Sequence, residues 1–272
     1  MCDNYLPEEI ENGEGWPEEL SEVVIPEGIR IIADSAFSGY GNLTSVILPS
    51  TLEVIGNCAF EETPLREIVI PKGVRTIDNA AFLNCTELER IDLPSTLEEI
   101  GNSAFNGLCS LSELVIPEGV RKLGGHLFGY FTGFWVGGMK KLSLPSTLRE
   151  IGAYAFANID VTELVIPEGV EVIRAYTFSC CRKLRKLTLP TSLRVIEEGA
   201  FAHTDSLEKL VIPKGVWEVG ANLFEGGSGV RRVVLPSTLD EIGPHAFDGI
   251  RDRIICADRE VRELLEWSWE HE

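Results

Sequence analysis

The 272-residue sequence contains no run that approaches 18 consecutive apolar residues, so no transmembrane helix is expected. Its first residues form neither a basic nor an apolar stretch, so no signal peptide is expected in this chain, and the location stays open between the cytoplasm and a processed secreted or surface protein. Basic residues are scarce, because 24 Lys and Arg stand against 43 Asp and Glu, for a formal net charge of -19. That balance argues against nucleic acid and anionic membrane surfaces as partners.

Groups that perform catalysis are also sparse. The seven cysteines are an odd number without CxxC spacing, so the sequence predicts small buried thiols rather than a disulfide framework or a zinc site. The histidines fall at unrelated positions, and no HExxH, GxSxG or P-loop motif is present. We therefore expect no enzyme activity, no catalytic residue, no metal and no cofactor.

What the sequence does contain is a repeat. Ten prolines that follow Ile or Leu recur at spacings of 22 or 23 residues, with one spacing of 28, and each is followed eleven residues later by Phe. The prolines are Pro26, Pro49, Pro71, Pro94, Pro117, Pro145, Pro167, Pro190, Pro213 and Pro236. A period of 20–29 residues with Leu at fixed offsets is typical of a leucine-rich-repeat solenoid.

One unit shows how each repeat is expected to fold. Residues 43–48 predict a short strand, which Pro49 ends because proline has no N–H for a further ladder bond. Leu52 and Ile55 are expected to be buried next, and Ala59 and Phe60 to lie on the far wall. A single unit cannot bury its apolar face alone, so stacked units form a continuous core. We expect one parallel sheet of eleven strands, spaced about 4.8 Å apart.

The pattern LxxLxLPxxLxxIGxxAFxxC, matched throughout residues 88–105, resembles the BspA-like leucine-rich repeats of bacterial surface antigens. The resemblance covers roughly residues 20–257. It implies an α/β-type repeat solenoid, right-handed and curved, with a parallel β-sheet on the concave face and short helical or irregular segments on the convex face. It also implies protein binding or adhesion and no catalytic residues, and it places Cys85 and Cys181 on the buried cysteine position of the family.

Three segments are predicted along the chain. Residues 1–19 form an acidic N-terminal cap, residues 20–257 form the solenoid of about ten units, and residues 258–272 form a C-terminal capping helix with Asp258 as its N-cap. The units also alternate between an IPEG or IPKG form and an LPST or LPTS form. Duplication of a two-unit, then a four-unit block is one explanation of that alternation, and a designed sequence is the alternative.

Two columns of side chains are expected on the concave face, on either side of the inward residue of each strand. The charged column comprises Glu22, Ser45, Glu67, Arg90, Glu113, Lys141, Glu163, Lys186, Lys209, Arg232 and Arg253. Its sign alternates from Glu67 to Lys186, which favours exposed ion pairs that contribute only about 0–1 kcal/mol each. Alternation then stops, so Lys186, Lys209 and Arg232 are candidates for binding an acidic partner, with a solvated basic face as the alternative.

The second, apolar column comprises Val24, Ile47, Val69, Asp92, Val115, Ser143, Val165, Thr188, Val211, Val234 and Ile255. Strand propensity alone favours such β-branched residues. A contiguous exposed apolar stripe is, however, also typical of a protein-binding surface or of self-association. Val69, Val115, Val165, Val211 and Val234 are therefore candidate binding residues.

The long spacing after Phe128 supplies a third candidate site. Residues 129–138 hold a five-residue insertion rich in aromatic residues and glycine, in which Tyr130, Phe131, Phe134 and Trp135 resemble interface anchors. The alternative is that these rings pack back onto neighbouring coils.

These features favour a non-catalytic module that binds a protein partner of unknown identity on the concave face or the aromatic insertion. The alternative is a structural or self-assembling protein, a homo-oligomer formed through the apolar column or the insertion.

Overall fold

The computed structural model describes residues 19–129, 138–226 and 229–270, with the backbone alone at Glu270. In this part of the chain each repeat unit forms one coil, with a strand of two or three residues on the concave side and a two-residue strand after the proline turn. The strands in chain order are β1 (Glu22–Val24), β2 (Ile31–Ile32), β3 (Ser45–Ile47), β4 (Val54–Ile55), β5 (Glu67–Val69), β6 (Thr76–Ile77), β7 (Arg90–Asp92), β8 (Glu99–Ile100), β9 (Glu113–Val115), β10 (Lys122–Leu123), β11 (Lys141–Ser143), β12 (Glu150–Ile151), β13 (Glu163–Val165), β14 (Val172–Ile173), β15 (Lys186–Thr188), β16 (Val195–Ile196), β17 (Lys209–Val211), β18 (Glu218–Val219), β19 (Arg232–Val234), β20 (Glu241–Ile242) and β21 (Ile254–Ile255).

The odd-numbered strands present the concave face. The middle residue of each three-residue strand is buried, as Leu114 of β9 is, and its two neighbours face outward. Successive strand residues point to opposite sides of a sheet, so the two outward columns follow directly from the pattern. All pairings between these strands and between the even-numbered strands are parallel, which confirms the predicted parallel-strand solenoid with eleven concave strands.

The expectation of one continuous concave sheet was wrong. The described strands form three two-stranded ladders, β1–β3, β5–β7 and β9–β11, and one five-stranded ladder from β13 to β21. Within the last ladder, β15 and β17 share only the register pair Lys186 and Lys209. The second sheet is more continuous, with six strands from β2 to β12 and four from β14 to β20.

All three breaks fall between an LPST coil and the IPEG or IPKG coil after it, although β15 and β17 keep one register pair across a joint of this kind. By contrast, an IPEG coil is bonded to the LPST coil after it. The Gly119 N–H donates to Thr147 Oγ1 at 3.0 Å, and that hydroxyl donates to the Val120 carbonyl at 2.8 Å. Both the N–H and the hydroxyl of Ser146 donate to the Glu118 carboxylate at 3.0 Å. Gly119 has a φ of +112°, a conformation that side-chain-bearing residues rarely adopt, which accounts for glycine at this position.

The same contact recurs in every pair of coils that begins with an IPEG or IPKG form. The bonds from glycine N–H to hydroxyl oxygen are Gly28 to Thr51, Gly73 to Thr96, Gly169 to Ser192 and Gly215 to Thr238. Glu27 and Glu168 make the same carboxylate contact. In the IPKG coils, Lys72 and Lys214 stand at the position of this glutamate. We call each such pair of coils a two-coil unit.

A spine of ten buried phenylalanines runs through all the coils. Neighbouring ring centroids lie 5.3 Å apart at Phe37 and Phe60, and 6.4 Å apart at Phe128 and Phe156, where the insertion intervenes. The spine therefore crosses both kinds of joint, those inside two-coil units and those between them.

Helix is confined to the C-terminal end of the described chain, in the 3₁₀ turn η1 (Arg251–Arg253) and the helix α1 (Arg259–Glu270). Asp258 Oδ1 accepts from the Glu260 N–H at 2.9 Å, as an N-cap does. Val261 and Leu265, which belong to α1, are buried. The convex side is built from turns rather than short helices, and residues 1–18 of the predicted N-terminal cap lie outside the described residues.

Candidate protein-binding surface

The apolar column lies exposed along the concave face. Val69, Val115 and Val165 expose 64%, 66% and 62% of their surface, because each is the outward third residue of its strand. Val211 is exposed to a lesser degree, at 46%. Aliphatic side chains at such positions remain in contact with water in the isolated chain.

Val234 departs from the sequence prediction, since it is half-buried rather than exposed. It lies in register between Val211 and Ile255, with a paired strand on each side. Two β-branched neighbours therefore cover it, whereas Val69 has a paired strand on one side only.

The charged column makes some of the predicted pairs. Lys141 lies 3.3 Å from Glu113 and Lys186 lies 3.6 Å from Glu163, each across one ladder step. Arg90 does not bond to the strand beside it but turns to Asp92 on its own strand. All of these groups are well exposed, so the pairs contribute little stability.

We call Lys186, Lys209 and Arg232 the basic column, because they occupy one register position on β15, β17 and β19. Within the described part of the chain, no carboxylate forms an ion pair with Lys209 or Arg232. Arg253, the next residue of the predicted charged column, forms no ladder pair with Arg232, because it belongs to η1 rather than to β21. Its guanidinium donates to the Val230 carbonyl at 2.9 Å.

The aromatic insertion cannot be placed on this surface, because Tyr130, Phe131, Phe134 and Trp135 lie outside the described residues. The residues on either side of it return to standard coil positions. Phe128 belongs to the spine, Met139 is buried, and the Lys140 N–H donates to the Ser112 carbonyl at 2.8 Å.

Open depressions on the concave face lie where ladders stop. One of about 580 Å³ is lined by both β7 and β9, between two of the two-coil units. Another is lined by residues of β3, β5 and β7, including Ser45, Glu67 and Arg90. These depressions are shallow and charged, and they add relief to the surface without enclosing a ligand.

Chemically reactive groups do not converge on this surface. Over residues 19–129, 138–226 and 229–270, no three His, Cys, Asp or Glu side chains come together as a metal-ion site. Burial raises the pKa of Cys85 to about 11 and that of Cys181 to about 12, so both remain neutral thiols at physiological pH. No helix among the described residues is both long and apolar enough to span a membrane.

A second aromatic stack was not predicted from the sequence. His126, Tyr154 and Tyr176 lie parallel on three successive coils, with ring centroids 4.6 Å and 4.9 Å apart. Burial is the main cause that raises the pKa of Tyr176 to about 12, and the negative charge of the nearby Glu198 carboxylate is the second. The signal was present, because each ring stands two residues before a spine Phe. The stack ties the coil that carries the insertion to the next two coils.

Comparison with known proteins agrees with this architecture. The chain aligns with a leucine-rich repeat protein from Bacteroides ovatus ATCC 8483 at a TM-score of 0.56 and 24% identity, over 87% of this chain and 76% of that one, which shows the fold. It aligns with the pneumococcal vaccine antigen PcpA at a TM-score of 0.53 and 25% identity. That alignment covers 84% of this chain but only 63% of PcpA, so the chain spans less than two thirds of the antigen. No curated protein sequence matches the chain.

A family model described as "BspA type Leucine rich repeat region" matches residues 15–135 and 130–252, with six copies. These matches cover most of the chain and coincide with the coils. The chain therefore belongs to the BspA-type leucine-rich-repeat family.

Proposed function

We propose that this chain is a non-catalytic, adhesion-type protein-binding module that holds its partner on the concave face. The observation that carries the proposal is the apolar column, in which Val69, Val115 and Val165 each leave more than half of their surface in water. Burying exposed aliphatic surface against a partner stabilises a complex by about 25 cal/mol per Å² before the costs of association.

The dimensions of the column support this proposal. Eleven strands at about 4.8 Å extend for roughly 50 Å, enough length for a standard interface of about 800 Å² on each partner. The flanking charged column supplies the polar rim that such interfaces carry. A relative whose name is that of a vaccine antigen is consistent with a surface role.

A capture experiment tests the proposal. The immobilised chain is exposed to extracellular-matrix proteins and to bacterial lysate, and the wild type is compared with a Val69→Ser, Val115→Ser, Val165→Ser triple variant. Ile31→Ser with Trp217→Ser is the matched control, because both are exposed but lie outside the two concave columns. Circular dichroism verifies the fold of each variant.

We expect the triple variant to lose capture and the control to retain it. Equal capture by the triple variant and the wild type would contradict binding through the apolar column. A Phe134→Ser, Trp135→Ser variant tests the aromatic insertion in the same assay, and loss there alone would transfer the site to the insertion.

Self-assembly is the second candidate function. It is favoured by a specific observation, the excess of positive charge in residues 182–232 of the solenoid and of negative charge in residues 1–18, which precede it.

A further inference from the structure

The basic column places three like charges side by side. Lys186, Lys209 and Arg232 stand on consecutive parallel strands, so their Cα atoms are separated by about 4.8 Å per step. Glu163 lies 3.6 Å from Lys186, but within the described residues no carboxylate pairs with Lys209 or Arg232. Like charges at this spacing repel one another, and an anionic group against them lowers that repulsion.

The surrounding sequence strengthens this positive region. Residues 182–232 hold nine Lys and Arg against six Asp and Glu, whereas the whole chain holds 24 against 43. An anionic ligand of this region therefore meets a local excess of positive charge on a protein that is otherwise acidic.

The chain itself contains a complementary segment, in the same residues that the sequence predicts as a cap; a segment held by a second copy does not cap its own first coil. Residues 1–18 carry six acids and no Lys or Arg. They also carry apolar side chains, which match the exposed Val211 beside Lys209 on β17. The acids are Asp3, Glu8, Glu9, Glu11, Glu14 and Glu18. We propose that residues 1–18 of a second copy of this chain dock on the basic column, with their carboxylates against Lys186, Lys209 and Arg232.

Distance favours a second copy over the same copy. Eight strand steps separate β1 from β17, which amounts to roughly 38 Å. The eleven residues from Glu19 back to Glu8 span about 37 Å only when fully extended. A second copy in antiparallel orientation has no such constraint, and twofold symmetry then forms the contact twice and closes the dimer.

The formal net charge of -19 opposes association of two copies. A charge-removing variant therefore distinguishes general repulsion from the specific contact. A Glu8→Gln, Glu9→Gln, Glu11→Gln variant is less negative, so relief of general repulsion would strengthen a dimer. The proposed contact requires the opposite, because these carboxylates bind the basic column.

The test is sedimentation equilibrium of the full chain. We expect a wild-type dimer whose Kd rises at least about tenfold in the triple Gln variant and in Lys209→Gln, Arg232→Gln. The controls remove equal charge elsewhere and should not weaken the dimer. They are Glu171→Gln with Asp205→Asn and Asp240→Asn for the acids, and Lys72→Gln with Lys140→Gln for the bases.

Carbodiimide cross-linking of mixed ¹⁴N and ¹⁵N protein identifies the source of the segment. Cross-links between Glu8, Glu9 or Glu11 and Lys186 or Lys209 should join differently labelled copies. A monomer at every concentration, cross-links confined to one copy, or a dimer that the triple Gln variant leaves unchanged or strengthens would each overturn the proposal. None of these results bears on the capture experiment, which concerns the apolar column.

Discussion

A joint inside a two-coil unit and a joint between two such units share the same Phe spine but differ in backbone bonding. Inside a unit, the Ile70 N–H donates to the Asp92 carbonyl at 2.9 Å, and Ile70 is buried. At the next joint, Leu93 stands at the position of Ile70 but donates no backbone hydrogen bond among the described residues, and it is half-buried.

The difference shows that core packing and strand pairing are separate sources of cohesion in this solenoid. The spine and the second sheet cross most joints, so they hold neighbouring units together where the concave ladder stops. The hydrogen bonds of the IPEG turns are added inside units only. Mutations in the spine should therefore act alike at both kinds of joint, whereas mutations in the turns should act at one.

The largest expected effect comes from the spine. Phe82→Ala and Phe105→Ala each remove a fully buried ring, and the free energy of unfolding should fall by about 3–5 kcal/mol in both. Urea unfolding followed by circular dichroism measures it, with the exposed Val115→Ala as control. A loss below about 1 kcal/mol at either position would show that the spine is not the shared source of cohesion.

The next effect concerns the turn glycine. In Gly119→Ala the new Cβ would lie 2.8 Å from the Ser95 carbonyl oxygen at a φ of +112°, so we expect a loss of about 1–3 kcal/mol. Gly41→Ala is the matched control, because its nearest neighbour lies 4.0 Å away and its φ is not left-handed. Equal unfolding midpoints for both variants would disprove strain at the turn.

A smaller effect is expected from the hydroxyl inside a two-coil unit. Thr147→Val removes one accepted and one donated hydrogen bond and should cost about 1–2 kcal/mol. Thr86→Val, an exposed threonine, should change stability by less than about 0.5 kcal/mol. If the two variants unfold at the same urea concentration, the hydroxyl contact does not distinguish the joints.

The smallest effect is a pH dependence. Two hydrogen bonds to the Glu118 carboxylate lower its pKa, chiefly that from the Ser146 backbone N–H and next that from the Ser146 hydroxyl. A carboxylate with a lowered pKa stabilises the fold above its ordinary pKa of about 4.5, and that stabilisation is lost as pH falls through the lowered pKa of the folded state. In Glu118→Gln the fall in stability between pH 5 and pH 3 should be shallower than in wild type.

Thermal unfolding across this range measures the slope. Lys72→Gln is the control, since Lys72 holds the same place in an IPKG turn and forms no ion pair among the residues described. An unchanged slope in Glu118→Gln would mean that this contact does not contribute to acid stability.

Much of the fold could be predicted from the sequence, because apolar residues at fixed repeat positions indicate which side chains are buried. Phe105 and Leu114 recur at fixed offsets, and both are buried as expected. The ladder breaks could not be predicted in the same way, because the IPEG and LPST alternation does not change the hydrophobic pattern of the coils. Its hydrogen bonds depend on the positive φ of Gly119 and on a hydroxyl in the next coil, and neither appears as a hydrophobic pattern.

The candidate surface was predictable only in part. Alternation of strand residues predicted the exposure of Val69 and Val115, which is a local property. The half-burial of Val234 and the contact of Arg253 with the Val230 carbonyl depend instead on neighbouring strands and on η1. Their positions result from tertiary context, which a single repeat unit does not encode.

Hydrogen exchange of backbone amides is the most direct test of two-coil units. The amides that donate inside units are those of Ile25, Ile70, Ile116, Ile166 and Ile212. At the same position between units, the amides of Leu48, Leu93, Leu144 and Leu189 donate no backbone hydrogen bond within the described residues, whereas that of Leu235 donates to the Ile255 carbonyl of the last strand and serves as a bonded Leu reference. We predict that the Ile amides exchange more slowly, after correction for intrinsic rates, because their N–H groups are bonded. Equal protection of the two sets would contradict the division of the concave sheet into two-coil units.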